Sequence, residues 1–282
     1  MAWVIVKDGA VVREFSRPTA FTYEGYQYPA NWIQNATNTE KSAMGLVQVT
    51  ISGSPKDSEY YDNTLSANKV ESDGSVTKTW SSSAKTLSDV KSSKITEAKS
   101  NANSSLSPTD WYVVRKAETN TATPDEITAY RTAIRTCYGN LKTAINAASD
   151  VDGVAVLYQY TKGASQDAKT INPSSAVNTT SNTITSNGHG FVDDELVYYD
   201  AGMTGTDLNT AIGGLSNGKS YYVFGKTTNT FKLSESHSSC GDAAAMSLSS
   251  GATGTNHTFG SQGIPGKGVC WPDSDRLKYD GA

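Results

Sequence analysis

Apolar positions along this chain change period twice, and the two changes divide it. Over the first eighty residues they fall in short alternating runs broken by tight turns. Trp3–Lys7 and Ala10–Phe15 flank Asp8-Gly9, while Phe21–Tyr23 and Tyr26–Tyr28 flank Glu24-Gly25. A polar residue followed by glycine tolerates the positive φ pair of a two-residue turn, so each set predicts a hairpin. Asn31–Ala43 predicts a loop with a short helical turn capped by Thr39. Gly45–Ile51 alternates as a strand, and Val70-Glu71 with Val76–Trp80 forms a last hairpin around Ser72–Ser75.

Beyond Trp80 the period becomes helical. Leu87, Val90, Ile95, Ala98 and Ala102 recur on one side of a Lys- and Ser-rich segment. That stripe is thin, which predicts a helix lying on a partner or on another copy. Ser107-Pro108-Thr109-Asp110 interrupts it and opens a shorter helix carrying Trp111, Val114 and Arg115. Thr123-Pro124-Asp125-Glu126 has the spacing of a capping box with proline at the first helical position. It predicts a long helix with Ile127, Tyr130, Ile134, Cys137 or Tyr138, Leu141 and Ile145 on one face. Ser149-Asp150 caps a further short helix through Leu157.

Alternation returns from Asn182 to Phe259, with strands expected at Thr183–Thr185, Leu196–Tyr199, Ser220–Phe224, Phe231–Leu233, Met246–Leu248 and Thr255–Phe259. Close turn spacing of this kind predicts a small barrel or sandwich. The predicted architecture is therefore α+β and multidomain. A β-rich docking domain occupies 1–80 and a helical segment 81–160. A Gly/Ser/Asn linker spans 161–181, an all-β barrel or sandwich 182–260, and a Pro/Gly-containing tail 261–282.

Composition narrows the function classes. Charged residues make up 18% and the formal net charge is -4, so the basic field that phosphate binding needs is absent and no nucleic-acid partner is expected. Ser and Thr together reach roughly a quarter of the chain, well above ordinary usage, while aromatics stay at 9%. The longest apolar runs, Trp3–Val6 and Val154–Leu157, are too short to span a bilayer, and no secretory signal stands at the start. Cys137, Cys240 and Cys270 are too few for a disulfide framework, and free thiols are expected ahead of a Cys240–Cys270 bridge.

Candidate chemistry is sparse. His189, His237 and His257 stand apart from one another and from cysteines at any metal-ligand spacing, two of them in glycine-rich turns. Asp150-Val-Asp152-Gly153 begins like a calcium loop but lacks its later oxygen ligands. Asp193-Asp194-Glu195 has the charge to hold a hard cation and more simply reads as a charged turn entering a strand. No phosphate-cradling glycine loop or nucleophile elbow occurs. An enzyme is not expected, nor a cofactor; no catalytic or metal-ligating residue is assigned, and binding residues stay unassigned. The pairs Tyr60-Tyr61, Tyr198-Tyr199 and Tyr221-Tyr222 predict one inward and one outward ring each, because neighbours on a strand face opposite sides.

Two stretches resemble known proteins. Asp110-Trp111 through Arg115 and Glu118, then Thr123-Pro124-Asp125-Glu126 and Ala129-Tyr130-Arg131 through Ile134-Arg135, resemble a helical module of phage tail-fibre assembly proteins and related virion proteins. Arg13–Pro18 and Tyr28–Trp32 resemble the N-terminal part of such proteins. Ile184–Ser186, Gly188-His189-Gly190-Phe191, Ala211–Leu215, Tyr221–Val223 and Asn229–Leu233 resemble a β-module of phage virion and adhesin proteins.

The resemblance implies a structural component of a bacteriophage virion: a tail fibre, baseplate or adaptor subunit that docks through its N-terminal and helical parts. Other virion proteins are its implied partners, with further copies of itself in a homo-oligomer, such as a trimer, and a host surface glycan or protein at the C-terminal domain. The alternatives are a tail-fibre assembly chaperone and a head decoration or head-fibre protein.

Overall fold

A computed structural model describes residues 2–161, 167–202, 209–241 and 243–272. Gly163 and Ser165 of the expected linker, and residues 273–282 of the expected tail, lie outside the described residues. The chain is α+β and forms two compact units, one ending at Lys85 and the other beginning at Thr86.

The first unit contains β1 (Trp3–Lys7), β2 (Ala10–Phe15), β3 (Phe21–Tyr23), β4 (Tyr26–Tyr28), α1 (Trp32–Asn35), α2 (Asn38–Ala43), β5 (Leu46–Ser52), β6 (Tyr61–Leu65), β7 (Lys69–Val70) and β8 (Val76–Ala84). Both expected hairpins form: Asp8 and Gly9 take φ 52 and 74, Glu24 and Gly25 take φ 49 and 85. The main sheet runs β2-β1-β5-β8-β6, with β7 also on β8 and only β5–β8 parallel. Val4 and Ile5 alternate onto opposite faces, and each is fully buried. Ile5 joins Phe15, Phe21, Ile33 and Leu46, while Val4 joins Val49 and Val76. Burying side chains of this size contributes about 1.5–3 kcal/mol each.

Local chemistry fixes the connections. Gly45 has φ 71, and a Cβ there would sit 2.3 Å from the Val6 carbonyl oxygen, so only glycine lets α2 turn directly into β5. The helix cap is Thr37, two residues before the expected Thr39: the Glu40 amide donates to its hydroxyl, and the Glu40 carboxylate accepts from Thr37 N–H at 2.7 Å. The predicted edge at Trp80 is also displaced, because β8 continues to Ala84 to pair with β6. β6, with its sequence Tyr-Asp-Asn-Thr-Leu, carries too few apolar residues to announce a strand.

The second unit opens with α3 (Leu87–Leu106), a 3-10 turn at Ser107–Thr109, α4 (Asp110–Thr119), α5 (Asp125–Ala147), α6 (Val151–Ala155) and a 3-10 turn at Val156–Tyr158. The α3 stripe of Val90, Ala98 and Ala102 is buried, and α3 packs on α5 of the same chain. Thus the partner that this stripe called for is intramolecular. No side chain caps α5, whose N-cap is Pro124, so the Thr123–Glu126 box is not made. Asp150 does cap α6, accepting from Gly153 N–H at 2.7 Å. The carboxylate that began like a calcium ligand is thereby used.

The remaining elements are β9 (Tyr160–Thr161), β10 (Lys169–Ile171), α7 (Pro173–Ala176), β11 (Val177–Asn178), β12 (Thr183–Thr185), β13 (Leu196–Asp200), β14 (Ser220–Phe224), β15 (Thr230–Ser234) and β16 (His257–Pro265). They form one antiparallel sheet in the order β10-β16-β13-β14-β15-β12-β11, with β9 also on β16. The strands pack around one core cluster that includes Ile184, Val197, Tyr199, Tyr221, Phe231 and Phe259. β10, α7 and β11 lie inside the stretch expected to be linker. Met246–Leu248 makes no strand, because Leu248 N–H is taken by the Asn182 side chain at 2.8 Å and only Ser249 bridges to Gly213.

Candidate functional site

Of the residues flagged in the sequence for chemistry, the three cysteines, His237 and Asp194 come together where α5 meets the Ser238–Cys240 turn of the second unit. Cys137, on the buried face of α5, is disulfide-bonded to Cys240 in a 3-10 turn, Ser238–Cys240. This corrects the expectation of free thiols or a Cys240–Cys270 bridge. The bonded residues are 103 apart in sequence, and only the fold places them together. One helical turn on, the Asn140 side chain donates to the Ser239 carbonyl. Gly241 closes the 3-10 turn at φ 75, where a Cβ would stand 2.9 Å from Cγ2 of Thr136. Helix and turn therefore touch through backbone, side-chain amide and disulfide at once.

Cys270 is the free cysteine and is buried. Its carbonyl oxygen lies 3.6 Å and 3.4 Å from the Cys137 and Cys240 sulfurs, and its thiol donates to the Gly266 carbonyl at 3.2 Å. Burial pushes that thiol up to about 11, which keeps it protonated and a poor nucleophile at neutral pH. A cavity of about 340 Å³ opens beside it, walled by Leu196, Tyr222, His237 and Trp271, with the Lys219–Glu235 ion pair (3.0 Å) on its rim. Burial also raises the Tyr222 phenol well above its ordinary value.

Ser239, His237 and Asp194 have the residue types of a hydrolytic triad: the Ser239 hydroxyl is 2.9 Å from His237 Nδ1, and His237 Nε2 is 3.8 Å from Asp194. Their bonding is that of a capped turn. His237 Nδ1 also accepts the Ser239 N–H at 3.1 Å, and both Asp194 oxygens accept from Ser238, its N–H at 2.8 Å and its hydroxyl. Ser239 is only 8% exposed and does not line the cavity. Desolvation lowers the His237 pKa, with Asp194 opposing it.

The other flagged groups are likewise engaged. His189 accepts from Phe191 N–H at 2.9 Å and packs between Phe191 and Phe231. His257 donates from Nε2 to the Thr253 carbonyl at 2.9 Å, and the Tyr199 hydroxyl donates to its Nδ1 at 2.8 Å. Tyr199 in turn accepts from Ile212 N–H. In the acidic turn, Asp193 takes the Lys226 amide, and buried Glu195 takes Val192 N–H and the Ser261 hydroxyl. Among the described residues no group of three His, Cys, Asp or Glu is placed to hold a metal ion, and no helix is long and apolar enough to cross a membrane.

The tyrosine pairs divide by context. Tyr199 is buried and Tyr198 is 41% exposed, as alternation predicts. Tyr221 is buried and Tyr222 half-buried, facing the cavity. Tyr60 and Tyr61 are both buried, because Tyr60 belongs to the turn before β6, where alternation does not apply.

One relationship was not singled out by composition or spacing. Arg131 on α5 donates to the Leu106 carbonyl (2.9 Å), the Thr109 hydroxyl (2.6 Å) and the Asp110 carboxylate (2.8 Å). Three acceptors at one helix junction suit a planar guanidinium. The lock fixes the start of α4, whose Tyr112 is buried while Trp111, Val113 and Val114 remain 45–52% exposed. Arg115 stacks over the Trp111 ring at 4.6 Å. In comparisons with protein families, curated proteins and solved structures, nothing matches this chain.

Proposed function

We propose that this chain is a structural component of a bacteriophage virion, a tail fibre, baseplate or adaptor subunit. It docks through its N-terminal unit and helices and displays its C-terminal β-sheet. The observation that carries this reading is the Arg131 lock. Asp110 and Arg131, two of the residues on which the resemblance to phage proteins rests, form one structural joint, beside which Trp111, Val113 and Val114 stay about half-exposed. An apolar helix face held in place by a buried guanidinium suits docking between subunits. Self-association falls to α4, since the α3 stripe is covered by α5.

The histidines, the acidic turn and the disulfide add support, because each is committed to holding loops. The test is location. A reconstruction of the phage that encodes this chain is expected to contain both units within the tail. Tail density complete without them would overturn the proposal.

A further inference from the structure

A second cavity, of about 460 Å³, lies in the N-terminal unit over the core that Phe15 and Ile33 help to form. Its apolar wall is Trp3, Phe15 and Ile33, and its mouth carries Arg17 and Lys41 with no acidic lining residue. The Lys41 amine stands 5.1 Å over the Trp3 ring. Neither cation enters an ion pair among the described residues; Glu40, beside Lys41 in sequence, gives its carboxylate to the N–H and hydroxyl of Thr37. The cleft is thus apolar inside and positive at the rim, although the whole chain is net negative.

The backbone beside it adds a direction. Phe15 ends β2, and β2 is the edge strand of its sheet, laddered only to β1. An edge strand offers unpaired N–H and C=O groups to an extended segment. A strand added along β2 would carry a side chain to the cleft beside Phe15, and residues flanking that side chain would meet Arg17 and Lys41.

Resting on the docking role proposed above, we infer that β2 and this cleft receive an extended, acidic segment of another virion protein, with one bulky apolar side chain seated on Trp3, Phe15 and Ile33. The apolar volume sets the anchor, the two cations select carboxylates, and the strand edge sets the backbone conformation.

The experiment uses the full chain and a fluorescein-labelled hexapeptide, Thr-Glu-Phe-Glu-Val-Thr, read by fluorescence anisotropy. Binding is expected for this peptide. The Lys-for-Glu version and a version with proline replacing valine are each expected to lose about tenfold or more. Arg17→Glu with Lys41→Glu, the first exposed and the second half-buried at the cleft mouth, should reverse the charge preference while leaving the circular dichroism spectrum unchanged. Arg17→Lys with Lys41→Arg should keep it. No binding by the wild-type chain, or binding indifferent to the charge reversal, overturns the inference. If the peptide fails while the chain is found in virions, the cleft assignment falls alone; if it binds while the chain is missing from virions, the docking role falls.

Discussion

The Arg131 guanidinium reaches from α5 back to the Asp110 carboxylate at the start of α4, 2.8 Å away, with Arg131 9% exposed and Asp110 60% exposed. The unequal burial decides which partner matters. Arg131→Ala removes a buried group, leaving the Thr109 hydroxyl oxygen without its donor and the Leu106 carbonyl with the Thr109 hydroxyl alone, a loss of about 2–4 kcal/mol. Asp110→Asn, at the exposed end, should cost about 1 kcal/mol or less. Urea denaturation of the two variants checks the order, and equal losses would contradict it. Arg131→Lys should behave like the alanine variant in part, since one ammonium does not span three acceptors in a plane.

The Cys137–Cys240 bond closes a loop of 103 residues. Reduction, or Cys137→Ser, is expected to lower stability by roughly 2–5 kcal/mol through the unfolded chain's regained freedom. Cys270→Ser should leave the response to reductant intact. Thermal melts with and without dithiothreitol measure both; a wild-type melt indifferent to reductant would refute the bond's role.

Much of the N-terminal unit is legible in the residues. Asp8-Gly9 and Glu24-Gly25 write their turns in φ-permissive pairs, and the flanking strands follow. β6 and β9–β11 were not legible, because strands such as Tyr61–Leu65 and Val177–Asn178 are short and polar, and only their neighbours make them strands. Thr37 lost out to Thr39 because the deciding contact is Glu40 folding back, and both threonines precede acceptable helix starts. The disulfide stayed hidden because Cys137 read equally well as a core position of α5. At the candidate site, each histidine's partner lies on another element or a buried turn, so spacing along the chain carries no sign of it.

Burial lowers the His237 pKa from its ordinary 6.5. The folded state thus binds this proton less readily than the unfolded chain. The stabilisation is fully present above about pH 6.5 and is lost as pH falls through the lowered folded value. Chemical denaturation at pH 7.5 and 5.5 should show the wild type weakening toward acid, with a shallower trend in His237→Gln. An identical trend in both would contradict the assignment.

Tyr199 links the core to two loops, accepting from Ile212 N–H and donating to His257. Tyr199→Phe keeps the ring and removes both bonds, leaving buried polar groups unpaired at a cost of about 1–3 kcal/mol. Hydrogen exchange at the Ile212 amide should rise in this variant, and protection equal to the wild type would rule the relay out.

The central claim is that this chain resides in a virion. Quantitative mass spectrometry of purified, density-banded particles of the encoding phage tests it most directly. Peptides from both units are expected at a constant ratio to the tail proteins of the particle, in small multiples of three or six. A chain abundant in the infected lysate and absent from the banded particles would contradict it.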